Sequence, residues 1–338
     1  MSPDNMVATA TGSKARPPGS LLGRIGAKST AARLFLLCFL GGYALTEFFA
    51  DKDIQDALQY RENLETGVYE REETQGYFGL LVVTLRDLFP SADPFVLIGT
   101  LIAALFIHSA IKIRPRTTSA VMFAIVLVMP MMYLNFTQVL RQGVAVSLII
   151  YALLKPASLP RSALLLGAGL VHKTYLPFVL VLLAREFILK LVARSYVPSR
   201  KPQQVFDALI FFGLFVFWLA AAVLAPEFVD ADVLEKYFAV DVSNAKRVFV
   251  AMLLITYLAL VYPKTPHPLA AFTAYAVLSI ALILPVTVDF LRLHTFIMPL
   301  MVFTALLCES PRRSLAALTI CFLLSLYVTP VLGLSNIL

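Results

Sequence analysis

Charge is scarce in this chain. Asp, Glu, Lys and Arg make up 14% of its 338 residues, where a soluble globular chain carries roughly 25%. That deficit excludes an ordinary water-soluble domain, and with it domain counting by length. Cysteine is nearly absent. Cys38, Cys308 and Cys321 stand in apolar runs, with no CxxC and no His pair nearby. They read as small buried hydrophobes rather than a metal or redox site. His108, His172, His267 and His294 are scattered, without HExxH spacing, so no metal site is predicted. There is no P-loop, no GxGxxG and no GxSxG, so ATP coupling and serine-hydrolase chemistry have no support.

What the chain has is apolar length. Hydrophobic residues make up 59%, and many runs reach the roughly 18–20 residues that cross a bilayer. The predicted fold is all-α: a polytopic transmembrane helical bundle of about ten spans, plus a re-entrant half-helix pair and an interfacial helix. The net charge of +7 sits in short segments between apolar runs, as cytoplasmic loops require. It marks topology rather than a nucleic-acid surface.

Residues 1–30, rich in Ser, Ala, Gly, Pro and basic side chains, are expected to be a disordered cytoplasmic tail. Residues 31–338 are expected to form one polytopic membrane domain. The run 32–50 follows Lys14, Arg16, Arg24, Lys28 and Arg33 and ends without a small-residue cleavage site, so it reads as an uncleaved anchor with its N-terminus inside. Residues 51–77 form an external loop, acidic on balance. Segment 76–89 is too short to span and reads as an interfacial helix. A second external loop is expected at 226–247.

The stretch Asn135 to Tyr175 departs from this apolar background. Asn135, Gln138, Arg141 and Gln142 share one face at 100° per residue. Asn135 and Gln138 have capping-box spacing, which accounts for those two but not for Arg141 and Gln142. Together they crowd a predicted helix N-terminus, where free N–H groups and the dipole favour an anion. An arginine snorkelling to the interface is the plainer alternative. His172 and Lys173 stand at the centre of the next apolar run, 162–184. Read as a single span, that run puts basic segment 185–203 and the loop Ser310 to Arg313 outside and acidic loop 226–241 inside, against the positive-inside rule. Two half-helices meeting near Val171–Lys173, each about ten residues or about 15 Å, repair all three violations. Such a break is tolerated only where protein or a wet cavity satisfies the backbone, so His172 and Lys173 are expected to line a hydrated pocket. Asp289, Arg292 and His294 are expected at the same outer mouth, Asp289 and Arg292 also having the i,i+3 spacing of a simple ion pair. Two arginines at one external pocket suit a charged headgroup on a lipid tail.

Four places resemble the EpsG family of Wzy-like polysaccharide polymerases. Glu73-Thr-Gln-Gly-Tyr77 is similar to its acidic E-x-G-Y entry. Asn135-Phe-Thr-Gln-Val-Leu-Arg141-Gln142-Gly-Val-Ala145 is similar to its N-x-x-R-Q-x-x-A core. Leu170-Val-His172-Lys173-Thr174 resembles its F-H-x-S motif, and Arg292 resembles its late arginine. The chain departs from the pattern at Thr174, Tyr175 and Gln75, and in the late segment Arg-Leu-His-Thr-Phe. The resemblance implies glycosyl transfer at the outer face of a bacterial cytoplasmic membrane, from undecaprenyl pyrophosphate to the next lipid-linked repeat unit, with no cofactor or metal required. It implies that Arg141 and Arg292 bind pyrophosphate, with Glu73 as first and His172 as second candidate base. Tyr77, Asn135, Gln138, Gln142, Lys173, Asp289 and His294 are expected to bind substrate. The implied partners are the lipid-linked oligosaccharide and membrane lipids, with a chain-length-regulating membrane protein left open. A ligase using another acceptor, a lipid-linked-sugar flippase and a structural membrane subunit are the competing readings. The short, His-free loop 226–247 favours a polymerase over a ligase, and the one-sided polar cluster favours it over a transporter.

Overall fold

The computed structural model describes residues 21–49, 55–70, 72–113, 126, 129–137, 139–195, 207–213, 216, 244–262, 267–283 and 290–331. Every element among the described residues is helical. In order they are α1 (Leu21–Phe49), α2 (Gln55–Glu65), a 3-10 turn (Val68–Glu70), α3 (Glu72–Leu88), α4 (Pro94–Ile113), α5 (Pro130–Thr137), α6 (Leu140–Leu153) and α7 (Leu159–Val171). A second 3-10 turn (Lys173–Tyr175) follows, then α8 (Leu176–Ser195), α9 (Asn244–Val261), α10 (Pro268–Ile283), α11 (Phe290–Leu306) and α12 (Pro311–Val331).

Local chemistry sets these starts. Helices α4, α5, α10 and α12 open on proline, where the missing N–H is no loss and φ is already helical. Asp93 caps α4 by accepting from the Phe95 N–H at 2.8 Å, and its other oxygen holds Arg61 of α2 at 3.3 Å. The Ser158 hydroxyl caps α7. Helix α4 is the one described helix long and apolar enough to cross a membrane, and shorter apolar helices accompany it. Outward faces stay apolar: Leu37 is 65% exposed, Phe187 63%, Phe249 50% and Met252 61%. Water penalises such faces and lipid does not.

The core lies between α4, α6, α10 and α11. Phe106 meets Phe303 with ring centroids 5.5 Å apart. The hydroxyls of Thr273 and Thr304 are 2.8 Å apart, which sets α10 and α11 in antiparallel register. At two crossings backbone replaces side chain. A Cβ on Gly143 would run into the Asn135 carbonyl oxygen, and one on Gly99 into that of Phe136. The last turn of α5 is therefore wedged between α4 and α6.

The chain breaks at 172–175, where the sequence places the junction of two half-helices. His172 is extended, at φ −134° and ψ 101°. The chain then folds back, because Arg161 near the start of α7 holds Glu186 of α8 at 2.5 Å. In one continuous helix those two residues would stand about 37 Å apart. The second arm is longer than expected. It carries on as α8 through Arg185, Lys190 and Arg194, because Arg185 finds a buried carboxylate.

Other expectations change. Asn135 does not cap α6: it lies fully buried inside α5, and the N-cap is Val139, with no side-chain bond. The wedge at Gly143 explains this, since Asn135 is packed before α6 begins. Segment 51–77 contains α2 and a 3-10 turn rather than plain loop, and the interfacial segment begins at Glu72. The first helix starts at Leu21, within the stretch read as tail. Most of loop 226–247 lies outside the described residues.

Candidate functional site

The site is built where α6 begins and the α7–α8 hairpin turns. Arg141, in the first turn of α6, donates from Nε to the Val171 carbonyl at 2.9 Å. That carbonyl is available because α7 ends there. The bond spends one edge of the guanidinium and leaves the terminal amino groups without an acceptor among the described residues. The fork is thereby aimed and still free.

Four further side chains belong to this region, two of them within reach of Arg141. Gln142 is 5% exposed and hydrogen-bonds the Tyr175 hydroxyl, itself fully buried beneath the turn. The His172 ring meets Tyr175 edge-on at 5.6 Å and lies within electrostatic reach of Arg141. Among the described residues its buried Nδ1 has no partner outside its own residue. Tyr69, on the first 3-10 turn, also lies within reach of Arg141. Burial pushes its phenol up to about 12, so it stays protonated and able to donate.

Helix register places the rest. Glu73 lies in the first turn of α3, four residues after Tyr69. Arg292 and His294 lie in the first turns of α11. Thr273 pairs with Thr304 near the other end of that helix, and α11 packs against α5 and α6. Arg292 therefore opens its helix at the end of the bundle that Arg141 occupies. Lys173 and Tyr77 are exposed. Gln138 and Asp289 lie outside the described residues.

The opposite end is basic. Lys112 and Lys155 both lie over the Tyr151 ring, at 5.5 and 4.0 Å. Arg161, Arg185, Lys190 and His267 line one cavity with Lys155. Arg141 and Lys155 stand at opposite ends of α6, about 18 Å apart along the axis from Arg141 to Leu153.

Sequence reading missed Tyr69, the contact of Tyr175 with Gln142, and Asp207. Asp207 is 6% exposed and accepts four bonds: two from Arg185 at 2.7 and 3.2 Å, one from Tyr262 at 2.5 Å and one from Tyr275 at 2.7 Å. Every lone-pair site of the carboxylate is used. It fastens segment 207–213 to α8, to α10 and to the residue that follows α9, and is a staple rather than a reacting group. A lone Asp opening an apolar run was the only signal for it.

Fold and geometry define the class: an all-helical protein with a cationic, tyrosine-flanked site at one end of its bundle. The chain belongs to the EpsG family, whose profile matches residues 33–334, nearly its whole length. Membership connects it with polysaccharide biosynthesis of the polymerase kind and with membranes. No curated protein and no solved structure matches the chain.

Proposed function

We propose that the protein is a membrane-embedded polysaccharide polymerase. It transfers a growing glycan from undecaprenyl pyrophosphate to the next lipid-linked repeat unit at the outer face of the bacterial cytoplasmic membrane. The observation that carries this reading is Arg141, held through Nε on the Val171 carbonyl with its fork unspent. Pyrophosphate is the headgroup such a fork matches. The concentration of Lys and Arg at the far end of the bundle supports an orientation with that end cytosolic. Arg141, His172 and the opening of α11 then face outward.

In this reading the hydroxyl of the acceptor sugar attacks the anomeric carbon of the donor glycan. The bond from that carbon to the pyrophosphate oxygen breaks, and undecaprenyl pyrophosphate leaves. Arg141 and Arg292 offset the charge growing on the leaving oxygen, with no metal needed for that role. Glu73 is the first candidate to take the hydroxyl proton. His172 is the second, and the unpartnered buried Nδ1 beside Arg141 favours it. Tyr69, protonated and adjacent, donates to a phosphate or sugar oxygen.

The test is glycan length and sidedness in cells carrying Arg141→Ala. Loss of one donor of this kind costs about a hundredfold or more. Single lipid-linked repeats should accumulate on the outer leaflet. Arg141→Lys keeps the charge but loses the fork and its hook, and should recover little. Repeats trapped on the inner leaflet would replace the polymerase with a flippase, and full-length glycan from either variant would remove Arg141 from the chemistry.

A further inference from the structure

The cytosol-facing end of the proposed bundle has a cavity that the polymerase chemistry does not use. It measures about 420 Å³, within the roughly 300–1,000 Å³ usual for small-molecule sites. It opens between the end of α6, the start of α7, the middle of α8 and the start of α10. Its walls are of two kinds. Leu153, Leu154 and Leu189 make one side apolar, while Lys155, Arg161, Arg185 and Lys190 supply positive charge.

Those charges are only partly offset. Glu186 holds Arg161, and Asp207 holds Arg185. Lys155 has the face of Tyr151 for company, which does not neutralise it. Lys190 is exposed. Among the described residues the cavity thus keeps two cations beyond its internal pairs, Lys155 and Lys190. Arg161 is also incompletely satisfied: it is 3% exposed, and its Nε–H has no acceptor among the described residues. A buried donor left so is destabilising, and an anion or an ordered water reaching it would relieve that. His267 adds a donor. Its Nδ1 accepts from the Leu269 N–H at 3.1 Å, so a neutral ring carries its proton on Nε2. Burial, and then the charge of Arg161, push its pKa down, which keeps the ring neutral.

A cationic centre with apolar walls beside it fits a phosphate that carries acyl chains. Phe187, Ile188 and Leu191 of α8 are exposed next to the cavity and extend the apolar surface outward. We infer that this cavity is a headgroup site for an anionic phospholipid of the inner leaflet, its phosphate received by Lys155, Lys190 and the Arg161–His267 pair. Basic pockets between helices on the cytoplasmic side recognise lipid headgroups in this way. The site rests on the bundle's being membrane-embedded, and not on the reaction at the other end.

The test is thermal unfolding of the purified full-length protein in neutral detergent, titrated with phosphatidylglycerol, with phosphatidylcholine and with inorganic phosphate. Phosphatidylglycerol should raise Tm in a saturable way and phosphatidylcholine should not. Lys155→Gln combined with Lys190→Gln should weaken the apparent affinity about tenfold while leaving the lipid-free Tm nearly in place, since neither lysine pairs with an acid among the described residues and the Tyr151 contact is a partly exposed one. Equal shifts from both lipids, or an unchanged titration in the double variant, would overturn the site. A full shift from inorganic phosphate alone would overturn the lipid and leave a soluble phosphate compound as ligand. Polymer length in cells reads the distant site separately, so either proposal can fail while the other stands.

Discussion

At the scale of single residues, Arg141 and Asp207 are each held by protein neighbours, to different ends. Arg141 is anchored to a carbonyl and remains available. Asp207 is fully subscribed. An ion this deep is tolerated because Arg185 and two tyrosines satisfy it, and removing it strands a guanidinium that is 13% exposed. Asp207→Ala should therefore cost roughly 3–5 kcal/mol, visible as a lowered Tm and reduced abundance. Tyr262→Phe or Tyr275→Phe should each cost about 1 kcal/mol. An unaltered Tm in Asp207→Ala would show that the four bonds are not a staple. Arg141 and His172 were legible from sequence because a cation inside an apolar run is costly. Tyr69 was not, because a tyrosine in an external segment carries no such penalty and its partner is remote in sequence.

Elements show the same division. The break at 172–175 could be read from the distribution of Lys and Arg, since one uninterrupted span reversed the sign of three loops. The start of α6 could not. Asn135 and Gln138 have the spacing of a cap, but the decisive interaction is the close approach of α5 to Gly143, which no local pattern records. Gly143→Ala places a methyl group against the Asn135 carbonyl. The α5–α6 corner must then open, at a cost of typically 1–3 kcal/mol. Because Arg141 is two residues earlier, polymer yield should fall further than abundance does, measured as glycan per folded protein. A fall in abundance alone would mean that the wedge supports the fold and not the site.

For the whole molecule, the segregation of function by end is the testable statement. Cys38, Cys308 and Cys321 are buried, so a cysteine introduced at an exposed position should be the only one an impermeant maleimide reaches. Lys173→Cys should label from outside the cell and Lys190→Cys only after the cytosolic face is opened. Both labelling from one side would dissolve the proposed orientation. The number of spans is less legible than the family. Hydropathy counts about ten, while among the described residues α4 alone has the length and composition to cross a bilayer unaided. The others depend on neighbours: α11 carries Pro299 within it, and α6 and α7 are short. One consequence concerns genetics. The oxygen that grips residue 141 belongs to the main chain at Val171, and all twenty amino acids present that same atom. Apolar substitutions at position 171 that keep the backbone path would thus leave the attachment in place. The attachment would surface only through changes that redirect the peptide plane, such as proline or glycine placed at the bend.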